Sequence, residues 1–157
     1  MKQIACSLVF TMFLFVASSQ QVDRMNPDGI NKPATYSQVV RVNKGTMVFT
    51  SGIVSDNEKG EIIGKGDLKA QTKQCFENLK IALAAAGAEF KDVVKLNYYV
   101  VNYDRSQVGL IREVRSNYLD TKALPASTLA GVQALFHPDV LIEIEAIAVV
   151  RKKKKRS

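Results

Sequence analysis

The chain is predicted to fold as one α+β domain, a single mixed β-sheet with two helices on one face. Three observations predict it. Strict alternation of apolar and polar residues over 141–149 marks a half-buried strand. Two segments with apolar residues at helical spacing, 68–86 and 108–118, each end before a β-rich run. With 157 residues and 46% hydrophobic content, the chain is long enough for a real core and too apolar for disorder.

In chain order, the first element is a leader. Lys2 followed by the apolar run 4–17 and then Ser18-Ser19 has the pattern of a secretory signal, predicted to end at residue 19. The run is shorter than the roughly 20 residues a bilayer span needs, and Cys6 precedes it rather than following it, unlike a lipoprotein cysteine. Cleavage leaves Cys75 alone, so no intrachain disulfide is expected. The product is expected outside the cytoplasm, in periplasm or medium.

Residues 20–32 are polar, with the turn sequence Asn26-Pro27-Asp28-Gly29, and are predicted to be an unpacked lead-in. The domain proper, 33–150, opens with two apolar runs at 36–42 and 46–54. Asn43-Lys44-Gly45 between them is good hairpin chemistry. Asp67 is placed to cap a helix reaching Ala86, with Leu68, Thr72, Cys75, Phe76, Leu79 and Leu83 on its stripe and Gly87 ending it. The β-rich run 93–101 puts Val94, Leu96, Tyr98 and Val100 on one side and Val93, Asn97, Tyr99 and Val101 on the other. Asp104 is expected to cap a second helix with Val108, Ile111, Val114 and Tyr118 facing inward. Strands at 127–135 and 141–149 complete the order ββ, α, β, α, ββ.

Two helices cover only one side of such a sheet. The apolar residues expected on the other side, Val93, Tyr99, Val101, Leu141, Ile147 and Val149, would form a large wet patch. Self-association through that face is the expected solution.

Charge is segregated. Lys2 and the six residues of 151–156 account for the whole excess of 22 basic over 15 acidic residues, so the domain itself is neutral. The tail, 151–157, suits weak attachment to an anionic surface. The body shows no basic and aromatic interleaving, so no specific nucleic-acid partner is expected. One His and one Cys at no ligand spacing argue against a metal, His137 reads as a turn residue, and there is no G-x-S-x-G. Gly64-Lys65-Gly66 lacks the spacing of a phosphate loop. Glu143 and Glu145 emerge on one strand face, their Cα atoms roughly 7 Å apart. Such a pair suits water activation by one carboxylate, or an ion pair that fixes structure.

The closing run Pro125 to Val150 with E-I-E-A-I-A near its end, Thr50-Ser51-Gly52, Asn78-Leu79 and Ala85-Ala86-Gly87 together resemble the Rid (YjgF-like, endoribonuclease L-PSP-like) family over roughly residues 33–150. The resemblance implies a chorismate-mutase-like fold and a homotrimer with clefts between subunits. It also implies hydrolysis of reactive enamines or imines to a keto compound and ammonia without a cofactor. Glu143 matches the family glutamate that positions or activates water, Ser51-Gly52 match well, and Tyr36 matches the pocket tyrosine at a different spacing. Ser127 stands where the family arginine pairs with the substrate carboxylate, and Leu129 stands where many members have a cysteine.

A bidentate guanidinium contributes about 1.5 to 3 kcal/mol and a neutral hydroxyl about 0.5 to 1.5, so this exchange costs about one to two decades of affinity. Arg41, Arg105, Arg112 and Arg115 are candidates for a replacement cation. Two readings follow: an exported deaminase with altered substrate, and a non-catalytic trimer binding a less acidic small molecule in the cleft. RNA binding, which the family's endoribonuclease label invites, has only the tail behind it.

Overall fold

The computed structural model describes residues 22–150; the expected leader and the basic tail lie outside the described residues. The elements are β1 (Val22–Met25), β2 (Val39–Val42), β3 (Thr46–Phe49), α1 (Leu68–Ala85), β4 (Val93–Val101), α2 (Gln107–Arg115), β5 (Ala126–Val132) and β6 (Ile142–Val150). A mixed sheet runs β3-β6-β4-β5, with β4 and β5 parallel and β6 antiparallel to both β3 and β4; β1 and β2 pair separately. The α+β class with two helices against a mixed sheet is as predicted.

The core lies between the helices and the sheet. Cys75, Phe76, Leu79 and Leu83 of α1 and Ile111 and Val114 of α2 pack on Leu96, Tyr98 and Val100 of β4 and Ile142, Ile144, Ala146 and Ala148 of β6. Phe76 stacks on Tyr118 with ring centroids 4.8 Å apart and also meets Phe90 and Tyr98. Asp67 caps α1 as expected, its carboxylate accepting from the amides of Lys69 and Ala70. Gly87, at φ 70°, ends the helix in a conformation that side chains disfavour. Burial pushes the Cys75 thiol up to about 12, so it packs as an inert small hydrophobe.

Four expectations need correction. The lead-in contains a strand: Val22–Met25 pairs with β2 in the register Asp23↔Arg41, where the two side chains form an ion pair at 2.7 Å. The Asn43-Lys44-Gly45 turn therefore joins strands of two different sheets, because β2 takes β1 as partner and β3 takes β6. Asn43 donates to Asp23 across this junction. Val93 joins the core, since a bulge between Val93 and Lys95 reverses its facing. Asp104 accepts from the amide and hydroxyl of Ser106 in a turn before α2 rather than capping the helix itself.

Gln71 ties the closing block to α1. Fully buried, it donates to the Asp139 carbonyl at 2.6 Å and accepts from the Leu141 amide at 2.8 Å, which fixes where β6 begins. Gln71→Leu keeps the volume and strands two backbone groups. Urea unfolding is expected to show a loss of about 2 to 3 kcal/mol; an unchanged midpoint would show that water replaces the amide.

Candidate functional site

The open face of the sheet carries the carboxylates. Because β6 alternates, Ile142, Ile144 and Ala146 enter the core while Glu143 and Glu145 point to the other side, opposite Tyr99 and Asn97 of β4. The two acids have different surroundings. Glu145 accepts from the Tyr99 hydroxyl at 3.1 Å and the Asn97 amide at 3.2 Å. Glu143 makes no hydrogen bond or ion pair to any described residue. Its pKa is raised, first by burial and then by the Glu145 charge. Glu145 is thus the anchored member of the pair and Glu143 the free one. Strand alternation had put Asn97 and Tyr99 on this face; what it lacked was the register that sets them against Glu145.

Ser51 and Gly52 meet Glu143 through an interruption of the ladder. Phe49 pairs with Ile147, yet Ile53 pairs with Ile144, so the register slips by one residue across 50–52. The Thr50 hydroxyl accepts from the Ala146 amide at 2.9 Å, filling the place of a backbone carbonyl. The loosened chain lays Gly52 directly under Glu143. A Cβ on Gly52 would stand 1.8 Å from the Glu143 Oε1 and 2.3 Å from its Cδ. Only glycine allows this approach.

Beside the bulge lies a cavity of about 540 Å³ lined by Ser51, Gly52, Ile53, Asp56, Asn78 and Ile81, among others. Asn78 of α1 holds its rim by donating to the carbonyls of Val54 and Asp56, both at 2.8 Å.

Tyr36, Ser127 and Leu129 form a second group. Ser37 bridges Ala126, its amide donating to the Pro125 carbonyl and its hydroxyl to the Leu124 carbonyl, which sets Tyr36 beside the start of β5. In the parallel ladder Ser127 aligns with Leu96 and Leu129 with Tyr98, and Leu129 packs against the core. Both therefore share the helix side of the sheet. Thr128, between them, takes the open side and accepts from the Lys95 ammonium at 2.6 Å. Ser127 thus lies across the sheet from Glu143, and a single chain does not gather the six residues into one site.

The arginines divide as well. Arg41 pairs with Asp23, Arg105 and Arg112 are exposed, and Arg115 is buried, donating to the Thr35 carbonyl at 2.8 Å. His137 acts in its turn, its Nδ1 accepting from the Asp139 amide. Lys65 pairs with Asp139 at 2.8 Å.

Known proteins include close matches in sequence and in fold. The chain is 44% identical to a RutC family protein of Pyrococcus abyssi over 114 residues, covering 72% of this chain and 84% of the relative. It is 31% identical to the 2-iminobutanoate/2-iminopropanoate deaminase of Dermatophagoides farinae over 115 residues, 73% of this chain and 85% of that one. Among solved structures, a Rid-family protein of unknown function from Yersinia pestis superposes with a TM-score of 0.75 at 37% identity, over 83% of this chain and all of that one. The family profile described as Endoribonuclease L-PSP spans residues 28–150. On the profile match over residues 28–150 and these relatives, the chain belongs to the endoribonuclease L-PSP family, the Rid proteins, whose members include reactive intermediate deaminases.

Proposed function

We propose that the protein is an exported, cofactor-independent hydrolase of enamines or imines. In this reading it acts as a homotrimer whose clefts join Ser51, Gly52 and Glu143 of one protomer to Tyr36 and Ser127 of the next. The observation that carries the reading is Glu143: a half-buried carboxylate with no hydrogen-bond or ion-pair partner among the described residues, a raised pKa and a glycine beneath it. It accepts a proton from water as the oxygen adds to the C=N carbon. The proton passes to nitrogen, the carbinolamine collapses, and ammonia leaves with a keto compound; water is the only co-reactant. The name of the mite relative supports the reaction type.

The trimer is supported by the split of the six residues and by the open face. There Phe49 and Met47 of β3 are 66% and 50% exposed and align with Ile147 and Val149 of β6. Such a patch is unusual on a protein that stays monomeric. Val149 is itself buried within the protomer, so the uncovered area is smaller than alternation predicts. Export follows from the leader at 1–19, and the basic tail is proposed to add weak attachment to anionic surfaces.

Ser127 and Leu129 favour a second reading, a trimer that binds a neutral small molecule without chemistry, since neither side chain carries charge or a thiol. The purified mature protein separates the two. It is expected to begin at residue 20, to sediment as three chains, and to release ammonia from freshly generated 2-aminoacrylate faster than buffer. Release equal to buffer would leave the binding reading.

A further inference from the structure

The helix side of the molecule holds a cavity of about 420 Å³ that the proposed reaction does not use. It opens where the end of α1 meets the 3₁₀ turn Phe90–Asp92 and Tyr118. Leu83 and Ala88, both buried, belong to its lining, and its aromatic wall is Phe90 and Tyr118, with ring centroids 5.4 Å apart. Both rings rest on the fully buried Phe76, and the Tyr118 hydroxyl donates to Glu77 at 2.7 Å, so the wall is fixed before anything binds. Room comes from Ala84, an exposed alanine one helical turn after Lys80 on the same face of α1. A largely apolar cavity of this size is in the range that takes small molecules, and water inside it finds few polar partners.

The charge around it is one-sided. Lys80, Lys91 and Glu89 are the charged residues of the lining. Glu89 is taken by Lys91 at 2.7 Å, whereas Lys80 makes no hydrogen bond or ion pair to any described residue. One positive charge is therefore left unmatched. The carbonyls at the end of α1 would oppose an anion, but those of Leu83 and Ala84 already accept from the amides of Ala86, Gly87 and Ala88 where the helix stops.

We propose that this cavity binds a small aromatic monocarboxylate, with its ring against Leu83, Phe90 and Tyr118 and its carboxylate at the Lys80 ammonium. The site is on the helix side of the sheet and Glu143 is on the open side, so the assignment does not depend on imine hydrolysis. An aromatic ring displaces poorly held water and packs on two rings already in place. Its carboxylate meets the one lining charge that has no partner among the described residues. A neutral ring gains only the first of these, and a cation meets repulsion.

Three probes that share a ring and differ in head group test it: 2-naphthoate, 2-naphthamide and 2-naphthylmethylammonium, titrated into the purified protein at low ionic strength and followed by ligand-observed NMR. Saturable binding of 2-naphthoate is expected, with the amide about 2- to 5-fold weaker and the cation weaker again. Lys80→Met should weaken 2-naphthoate by the same factor of about 2 to 5 and leave the amide unchanged. Ala84→Trp places an indole in the cavity from an exposed helix position, so 2-naphthoate and the amide should both weaken at least about 10-fold while the urea midpoint stays put. Ala84→Leu, a strong helix former of smaller volume, guards against a folding defect in the tryptophan variant and should give a smaller loss in the same direction. No saturable binding of 2-naphthoate, equal affinity for the three head groups, or a 2-naphthoate affinity unmoved by both Ala84 variants would each overturn the proposal. The last of these would place the probe elsewhere on the protein.

Discussion

Gly52→Ala is expected to abolish most of the proposed imine hydrolysis while leaving the protein folded. Gly52 lies outside the left-handed φ region, so alanine suits its backbone, and the substitution also removes unfolded-state freedom worth about 0.4 to 1 kcal/mol. The obstacle is the carboxylate above it. The added methyl would stand 1.8 Å from Oε1, 2.3 Å from Cδ and 2.7 Å from Cγ of Glu143, so the whole end of that side chain must swing away. A displaced side chain on an open face costs little stability. A displaced general base costs about two to four decades in kcat. Steady-state kinetics beside urea unfolding separates these effects: kcat should fall at least about 100-fold with the unfolding free energy changed by less than about 1 kcal/mol. Full activity in this variant would mean that Glu143 does not act from where it stands.

In the proposed reaction Glu143→Gln removes the base without moving it, and kcat should fall by about 10² to 10⁴ with KM little changed. The pH profile adds a second readout. Burial and the Glu145 charge both favour the protonated form of Glu143, so activity that requires its carboxylate is lost as pH falls through a raised pKa. Glu145→Gln removes the like charge and stabilises the Glu143 carboxylate. The acid limb of kcat/KM should therefore move to lower pH. A limb that stays in place or moves upward would show that the two carboxyls do not interact.

The strongest signals in the sequence were periodic. The stripe of α1, its Asp67 cap and Gly87 stop, and the alternation of β4 and β6 all recur in the structure, because each depends on residues close in the chain meeting one buried surface. The misreadings share a cause too. Asn43-Lys44-Gly45 has the composition of a hairpin turn, but turn chemistry does not decide which strand is the partner, and Val22–Met25 offered β2 a better one. Its polar composition hid it, since a strand that pairs at the surface needs little apolar content. Val93 changed sides through a one-residue bulge, which alternation counted along a single strand does not reveal.

At the site, the family resemblance selected Ser51, Gly52, Glu143, Tyr36, Ser127 and Leu129, and strand alternation put Glu143 and Glu145 on one face. Two features were out of reach. The different surroundings of Glu143 and Glu145 depend on β4 lying beside β6 in a register that brings Asn97 and Tyr99 to Glu145. The burial of Arg115 depends on the loop at Thr35 crossing the end of α2, a contact between residues 80 positions apart. Four arginines were equal candidates in the sequence because charge carries no period, and only a solvent-shielded location distinguishes one of them.

Sequence by itself therefore determined the fold class, the elements around the core, and the face on which the carboxylates emerge, since all of these follow from local propensity and periodic burial. Tertiary structure decided which carboxylate stays free, where Gly52 meets it, and that Glu143 and Ser127 lie on opposite sides of one sheet. Those are matters of strand order, register and long-range approach. They arise from which surfaces exclude water together, and residues far apart in the chain carry no local sign of it.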